Sequence, residues 1–340
     1  MAVRAGICIG PDRCRSGRAD AVKKEKAVAE VLDADSYLQR MLNTARPGMG
    51  RVHAFYDHRV GAVCRDPRLM LMPWDDHLVH RGDGVFESMK FIGRRLYQVE
   101  PHLERLKRSC KAIHLQPPCS WDEIRDSIVD VARAGGRDDG MVRVLLGRGP
   151  GGFGIDPDEC PGASLYVVAY DIHRKPEAVY EKGVTAFKTS IPAKQPYLAT
   201  IKSIDYLPNV LMKREAVEKG YDFPICFDDR GFLAEGATEN VCIVDQQGRL
   251  HIPEFTNALA GTTLMRAIDL IKDEVDLIFR GIRESEIREA KEVFIVGTTT
   301  DALSVVRYEG KPIHNVKPGA VSKRIRQLLQ QDLRENGLPL

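Results

Sequence analysis

The sequence lacks several features that would indicate a nucleic acid, a membrane or a metal as its partner. Lys and Arg number 50 against 48 Asp and Glu, so the formal net charge of +2 provides no strong field of one sign. The longest apolar stretches have the length of a β-strand, which is too short to span a bilayer. The eight cysteines form no CxxC pair and show no metal-ligand spacing with histidine. We therefore predict no nucleic acid, membrane or metal partner.

The cysteine pattern and the start of the chain lead to a predicted compartment. Cysteines without a paired pattern in a chain of 340 residues favour reduced thiols, and hence a cytoplasmic protein. Residues 1–20 are rich in Gly, Pro and Arg and contain no apolar segment typical of a secretory signal. A transit peptide remains the alternative to an irregular or partner-docked arm, and we prefer the arm.

The remaining sequence is long and apolar enough for two domains. Hydrophobic residues make up 43% of the chain, which permits a large core. Helical and strand patterns are mixed without regular β-α-β alternation, which indicates an α+β fold. The predicted organisation is an extension over 1–50 (irregular, then helical), a small domain over 51–172, a linker over 173–182 and a large domain over 183–340.

Periodicity and turn residues predict the individual elements. Apolar residues at helical spacing predict helices over 20–44, 101–114, 121–134, 207–219, 263–271 and 320–334. Short apolar runs between turn residues predict strands over 52–56, 59–64, 86–91, 95–99, 141–146, 164–171, 184–191, 223–227, 231–234, 241–244, 249–252, 292–296, 305–308 and 311–313.

Lys202 and Glu235 are the residues with the most specific chemistry. Lys202 is expected at the end of a strand and Glu235 in a polar turn. A lysine that can lose its proton forms a Schiff base, and a carboxylate facing a pyridine nitrogen keeps that ring cationic. Together they suggest a pyridoxal 5'-phosphate (PLP) site. Taken alone, the pair is more typical of a surface lysine and a solvated turn glutamate.

Six segments in order resolve this ambiguity. They are His80–Glu87, Pro101–Leu106, Ile201–Ser203, Glu235–Asn240, Gly261–Thr263 and Val296–Thr300. With them the chain resembles the fold-type IV PLP enzymes, or class IV aminotransferases, over Val52 to Leu329, about four-fifths of its length. That family includes branched-chain aminotransferases, D-amino-acid transaminases and aminodeoxychorismate lyases. The resemblance implies a smaller N-terminal α/β domain, a larger C-terminal domain with a barrel-like sheet, and a homodimer or higher oligomer.

The resemblance also implies roles for the cofactor-binding residues. Lys202 would form the internal aldimine with PLP, Glu235 would pair with the pyridine nitrogen, and Arg105 would bind the phosphate. The remaining cofactor contacts are expected from Thr262, Thr263, Thr298 and Tyr206. Local sequence alone would permit a solvated helix-face arginine at position 105 and an ordinary helix cap at 262–263.

Substrate binding is less sharply indicated. A transaminase must hold an α-carboxylate, for which arginine is the natural partner, and the candidates are Arg81, Arg143 and Arg148. Phe86 and Thr299 are expected beside them. Arg143 lies where branched-chain enzymes place an arginine, but Arg81 and Met141 stand where those enzymes carry tyrosines. The Arg-x-His pair of bacterial D-amino-acid transaminases is replaced by Phe153 and Ile155.

The predicted function is amino transfer between an amino acid and a 2-oxo acid, such as 2-oxoglutarate, by a ping-pong reaction. An apolar, branched-chain L-amino acid is the first expectation. The alternatives are a D-amino-acid or primary-amine transaminase, an aminodeoxychorismate lyase and, more remotely, an inactive relative that binds a phosphate ligand.

Overall fold

A computed structural model of the chain describes residues 29–340, which contain both helices and sheets. The α-helices are α1 Ala34–Asn43, α2 His77–His80, α3 Val99–Ala112, α4 Trp121–Ala134, α5 Glu177–Lys182, α6 Pro196–Ala199, α7 Leu207–Lys219, α8 Thr262–Ile271, α9 Glu284–Glu289 and α10 Ala320–Asn336. The strands are β1 Val52–Asp57, β2 Ala62–Cys64, β3 Gly84–Ile92, β4 Arg95–Leu96, β5 Gly140–Gly147, β6 Ser164–Tyr170, β7 Val184–Lys188, β8 Phe223–Ile225, β9 Asn240–Val244, β10 Leu250–Ile252, β11 Leu277–Phe279, β12 Glu292–Gly297, β13 Asp301–Tyr308, β14 Lys311–Pro312 and β15 Leu338–Pro339.

Of the described residues, those up to Thr44 belong to a separate compact unit. Its described helix, α1, begins after Asp33, whose side chain accepts a hydrogen bond from the backbone N–H of Ser36 at 2.9 Å. The helix predicted over 20–44 is thus confirmed for 34–43, whereas 29–33 are not helical. The part of that prediction over 20–28, and the irregular segment expected before it, lie outside the described residues.

Residues 45–340 form the second unit, and its first sheet comes mainly from the earlier half of the chain. Seven strands are ordered β15-β4-β3-β5-β6-β1-β2, with antiparallel pairing throughout. Helices α3 and α4 contribute buried residues such as Leu106 and Ile128 to the core on this sheet. α4 begins with a capping box between Ser120 and Glu123, which satisfies the free N–H groups of its first turn.

The second sheet has eight strands, seven of them ordered β11-β10-β9-β12-β13-β7-β8, with β14 paired to β13. The pairs β13–β7, β7–β8 and β10–β11 are parallel and the others are antiparallel. Strands β9 and β12 are buried on both faces: helices α8 and α10 cover one face, and the residues of the other face belong to a second apolar core. The fold is therefore α+β, as predicted, and the described residues form two sheets. In the described part of the chain, no helix has the length and apolar character needed to cross a membrane.

Several local predictions were wrong at element ends. The strand predicted over 95–99 stops at Leu96, because Gln98 adopts a left-handed conformation (φ 57°) and α3 starts at Val99. The segment predicted as a strand over 231–234 forms only isolated bridges. The strand predicted over 184–191 (β7) already ends at Lys188. Helix α5 lies inside the predicted linker. The short elements α2, α6, α9 and β11 were not predicted because so few residues cannot show a periodicity.

Candidate active site

Lys202 lies in an extended segment between α6 and α7, and not at the end of a regular strand as predicted. Its carbonyl accepts a hydrogen bond from Phe86 N at 2.9 Å, and Ile204 N donates to the Gly84 carbonyl at 2.9 Å. The backbone N–H of Lys202 donates to Ser109 Oγ of α3 at 3.2 Å. The start of β3 and one helix therefore fix the backbone from which the lysine projects.

The amino group of Lys202 lies among aromatic rings. Its Nζ is 3.1 Å from the hydroxyl of Tyr206 and 4.6 Å from the centre of the Phe86 ring. Within residues 29–340 it forms no ion pair with a carboxylate. The half-buried amine is thus held by a phenol and a π-face, and no salt bridge must break before it reacts.

Glu235 occupies the turn before β9. Its carbonyl accepts a hydrogen bond from Cys226 N at 2.9 Å, and its carboxylate accepts one from Leu259 N at 3.1 Å. Burial raises the pKa of Glu235 to about 7, against the opposing effect of the Leu259 N–H and of Lys194 and Lys202. The neighbouring groups do not fully stabilise the negative charge of this buried carboxylate. A cationic group of a ligand in the cavity would therefore be a favourable partner for it.

Arg105 is buried on α3 beside the same cavity. Its Nε and Nη2 donate to the two oxygens of Glu87 at 2.7 and 2.8 Å, and its Nη1 donates to the Ala260 carbonyl at 3.2 Å. Glu87 also contacts His102 Nδ1 at 2.6 Å. Burial would raise the pKa of Glu87, but His102 and Arg105 outweigh it and lower that pKa to about 2. The solvated-arginine alternative is thus excluded by the 5% exposure of Arg105.

The start of α8 faces this arginine across the cavity. Gly261 is its N-cap and makes no side-chain capping hydrogen bond, and the first two helical residues, Thr262 and Thr263, are buried. Thr263 Oγ1 lies 3.4 Å from Thr298 Oγ1, which follows β12. Free N–H groups and hydroxyls at a helix N-terminus form a common arrangement for binding phosphate. Lys202, Glu235, Arg105, Tyr206 and these three threonines all line one cavity.

A second cavity of about 400 Å³ is also lined by Lys202. Arg143 of β5 lines it, and its guanidinium lies 5.4 Å from the Phe86 ring and 5.5 Å from the Tyr170 ring. Arg143 Nε donates to Ser88 Oγ at 3.1 Å, and within the described chain the guanidinium has no carboxylate partner. Phe86 and Thr299, both predicted near the substrate, line this cavity too.

The other two candidate arginines are occupied elsewhere. Arg81 donates to the carbonyls of Phe153 and Gly154, and so holds the glycine-rich loop over residues 148–155, which follows β5. Arg148 makes a bidentate ion pair with Asp83 at 2.9 and 3.0 Å. Neither lines the cavities around Lys202. Of the three arginines, only Arg143 is placed next to the lysine within the described chain.

The structure adds residues that the sequence reasoning missed. Lys194 lies with its Nζ 4.6 Å from the Tyr206 ring centre, and Asn209 and Glu239 also line the cavity that contains Glu235. Glu239 stands inside the Glu235–Asn240 segment and Asn209 on the helix after Lys202, so their positions near the motifs offered a signal. Lys194 offered none, because its segment has no periodic pattern.

Comparison with known proteins gives a consistent family. The profile of the class IV amino-transferases matches residues 84–308. The D-amino-acid transaminase, chloroplastic, of Arabidopsis thaliana is 33% identical over 86% of this chain and 79% of its own length. A putative branched-chain-amino-acid aminotransferase of Methanocaldococcus jannaschii is 28% identical over 74% of this chain and 88% of its own. The crystal structure of the Escherichia coli branched-chain amino acid aminotransferase superposes with a TM-score of 0.77 at 26% identity, covering 85% and 95% of the two chains. The chain belongs to the class IV aminotransferases.

Proposed function

We propose that the chain is a PLP-dependent transaminase and that PLP binds in the cavity between Lys202 and Glu235. The residues fit that cofactor at each of its polar ends. Arg105 and the start of α8 suit the phosphate, Glu235 suits a protonated ring nitrogen, and Lys202 suits the aldehyde. The T.th. branched-chain amino acid aminotransferase shares this fold, and its crystal structure contains pyridoxamine 5'-phosphate, which supports the assignment.

Bound PLP supplies an electron sink for the electrons left on the substrate Cα when its proton is removed. The chain contributes the proton transfer and the fields around it. Lys202 Nζ, once neutral, is the base for the proton on Cα, and Tyr206 OH, 3.1 Å away, holds the amine in position. The carboxylate of Glu235 keeps the opposite end of the cavity negative, which favours a cation there.

The observation that carries this proposal is the convergence of Lys202, Glu235 and Arg105, which are far apart in sequence, on one cavity. Borohydride reduction of the PLP-loaded protein should therefore bleach its colour and attach the cofactor to Lys202, as read by peptide mass spectrometry. Lys202→Ala should fold but show no turnover, whereas Lys323→Ala, which changes an exposed lysine of α10, should behave as wild type. A label on another lysine, or normal turnover by Lys202→Ala, would contradict the assignment.

For the substrate, we propose an amino acid whose α-carboxylate binds Arg143 and whose side chain is apolar. Arg143 is the candidate arginine that lines the cavity beside Lys202, and its fork is open to a bidentate carboxylate. Phe86, Met141 and Leu145 also line this cavity, and they favour an aliphatic side chain over a charged one. A branched-chain L-amino acid with 2-oxoglutarate as acceptor fits this lining.

The second candidate is a D-amino-acid transaminase, because the Arabidopsis relative of that name is 33% identical over 86% of this chain. Loss of the PLP colour in single-turnover reactions with L-leucine, D-leucine, D-alanine and a primary amine separates the two. Reaction with the L-enantiomer alone supports the first proposal, and reaction with the D-enantiomers supports the second. Reaction with the amine as fast as with either amino acid would exclude a carboxylate role for Arg143.

The assembly, domain division and compartment are also proposals. The resemblance implies a homodimer in which a loop of the neighbouring subunit closes the site. The exposure of Phe153 (68%) and Ile155 (84%) on the glycine-rich loop supports a partner contact there. We retain the domains 51–172 and 183–340 and the cytoplasm as expectations, although the name of the Arabidopsis relative places that protein in the chloroplast. Sedimentation of the purified protein tests the dimer.

A further inference from the structure

A chain of hydrogen bonds behind the predicted phosphate position has no role in the reaction described above. It runs from Glu87 to His102 Nδ1 at 2.6 Å and from His102 Nε2 to Thr262 Oγ1 at 3.2 Å. Glu87 and His102 are 0% and 2% exposed, so the chain is shielded from solvent. Its far end, Thr262, is the first residue of α8 and lines the cavity that also contains Lys202. These hydrogen bonds thus link a buried carboxylate to the cavity through one histidine.

The charged groups in direct contact with this chain of hydrogen bonds do not by themselves balance a phosphate dianion. The positive charge of Arg105 is already paired with Glu87 through two hydrogen bonds. Of the five N–H donors of the arginine, three are used by Glu87 and the Ala260 carbonyl, which leaves two for a ligand. The arginine can therefore orient a phosphate, but its net charge is not available to neutralise one. The helix N-terminus supplies only a partial positive charge.

His102 is the group within hydrogen-bond distance of Thr262 that can supply further positive charge. Glu87 is ionised and can only accept, so the proton of the neutral imidazole lies on Nδ1 and Nε2 accepts from the Thr262 hydroxyl. In that state the hydroxyl proton of Thr262 points at His102 and away from the cavity. A second proton on Nε2 reverses this hydrogen bond, because Nε2 then donates to Thr262 and frees the hydroxyl to donate to a phosphate oxygen.

We propose that His102 takes up a proton from solvent at Nε2 when a phosphate dianion binds at the start of α8. This proposal rests on the proposed PLP site, and it makes His102 a positioning residue that acts through Thr262. Among the described residues, the charged groups that act on His102 are Glu87 of β3, Arg105 of its own helix and Lys202 of the extended segment. Burial lowers the pKa of His102 before the ligand arrives, and Glu87 opposes that effect. A dianion near Thr262 favours the charged imidazole, so ligand binding and protonation of His102 are thermodynamically linked.

The test compares proton uptake by the wild type and by His102→Asn. Asparagine places an N–H near the position of Nδ1, so it can still donate to Glu87 but cannot be protonated. Calorimetric titration of PLP into the cofactor-free protein, in two buffers with different ionisation heats, counts the protons taken up. At pH 7 to 8 we expect the wild type to take up at least about half a proton more than His102→Asn does, where linkage allows at most one. His114→Asn, an exposed histidine whose positive φ asparagine tolerates, is the matched control.

Two further readouts separate this proposal from its alternatives. The wild-type dissociation constant for PLP should rise with pH more steeply than that of His102→Asn, by up to about tenfold per pH unit. The ³¹P NMR shift of bound PLP should stay at the dianion value across this range. Equal proton counts in the two proteins, or a phosphate that itself titrates, would overturn the proposal.

A second substitution covers failure of His102→Asn to fold. Thr262→Val keeps the shape of the side chain and removes the hydroxyl that connects His102 to the ligand. It should lose most of the additional proton uptake, and an unchanged count would overturn the role of Thr262. If the wild type binds PLP without colour, or not at all, the proposed function fails instead of this inference.

Discussion

Replacement of Glu235 by glutamine should stabilise the cofactor-free protein, and more so at higher pH. Burial raises the pKa of this carboxyl group from 4.5 to about 7 in the folded protein. Between these values the folded chain keeps a proton on Glu235 that the unfolded chain has released. The free energy of unfolding therefore falls as the pH rises from about 4.5 to about 7, and it stays lowered above that range. Glutamine imitates the neutral form and can still accept the Leu259 N–H, which Glu235 accepts at 3.1 Å.

The size of the effect follows from the displacement of the pKa. At about 1.4 kcal/mol per pH unit, a rise from 4.5 to about 7 corresponds to about 3 kcal/mol. Glu235 is half-buried, so partial contact with solvent reduces the expected value to about 2 kcal/mol. Urea unfolding of wild type and Glu235→Gln, both freed of PLP, should show this difference at about pH 8 and almost none at about pH 4.5.

A control variant and a measurement with PLP bound accompany this experiment. Glu289→Gln, which changes an exposed carboxylate, should leave the pH dependence of unfolding as in the wild type. Free energies of unfolding of Glu235→Gln and wild type that stay parallel from about pH 4.5 to about pH 8 would refute the reasoning. With PLP bound, Glu235→Gln should slow removal of the Cα proton more than it weakens cofactor binding, as read by deuterium exchange at the substrate Cα.

Three further substitutions test the substrate arginine, the buried ion pair and the core. Arg143→Gln should lower kcat/KM for amino acids by about 10- to 100-fold, because a charge-assisted contact to the substrate carboxylate is lost. The control variant Arg133→Gln, which changes an exposed arginine, should leave kcat/KM unchanged. An unchanged kcat/KM would remove Arg143 from the substrate site. Glu87→Ala should destabilise the protein by about 3–5 kcal/mol because Arg105 is left charged and unpaired, and a change below about 1 kcal/mol in urea unfolding would contradict this. Phe294→Ala, at a fully buried position of β12, should lower the free energy of unfolding by about 3–5 kcal/mol, and a loss under about 1 kcal/mol would show that the cavity collapses.

The α+β class and most long elements could be predicted from sequence because their signals are local. The residues of α4 repeat at helical spacing and are bounded by a capping box and by glycines, so the predicted and observed limits are both Trp121–Ala134. The prediction over 95–99 failed because a single residue, Gln98, turns the chain through a left-handed conformation that most side chains avoid. Local propensity does not reveal such a turn, because the left-handed conformation is sparsely populated by residues other than glycine.

The residues of the candidate site also divide into those that the sequence indicated and those that only the structure identified. Lys202, Glu235 and Arg105 stood out in the sequence because they occur in ordered motifs, and the structure places all three at one cavity. The sequence could not distinguish among the three candidate arginines, since each is a polar residue near a motif. Tertiary contacts made the distinction by pairing Arg148 with Asp83 and directing Arg81 to loop carbonyls.

By itself, the sequence determined the fold class and the family resemblance, because periodicity and motif order depend on neighbouring residues, and it also predicted which lysine reacts. Only the tertiary structure decided which side chains face one another across the cavity. Glu87, His102 and Thr262 come from a strand and two helices, and nothing in their local sequence indicates that they form one hydrogen-bonded chain. Because these side chains are buried, charges along their hydrogen bonds interact strongly, as charges out of contact with water do. Burial is a property of the assembled fold.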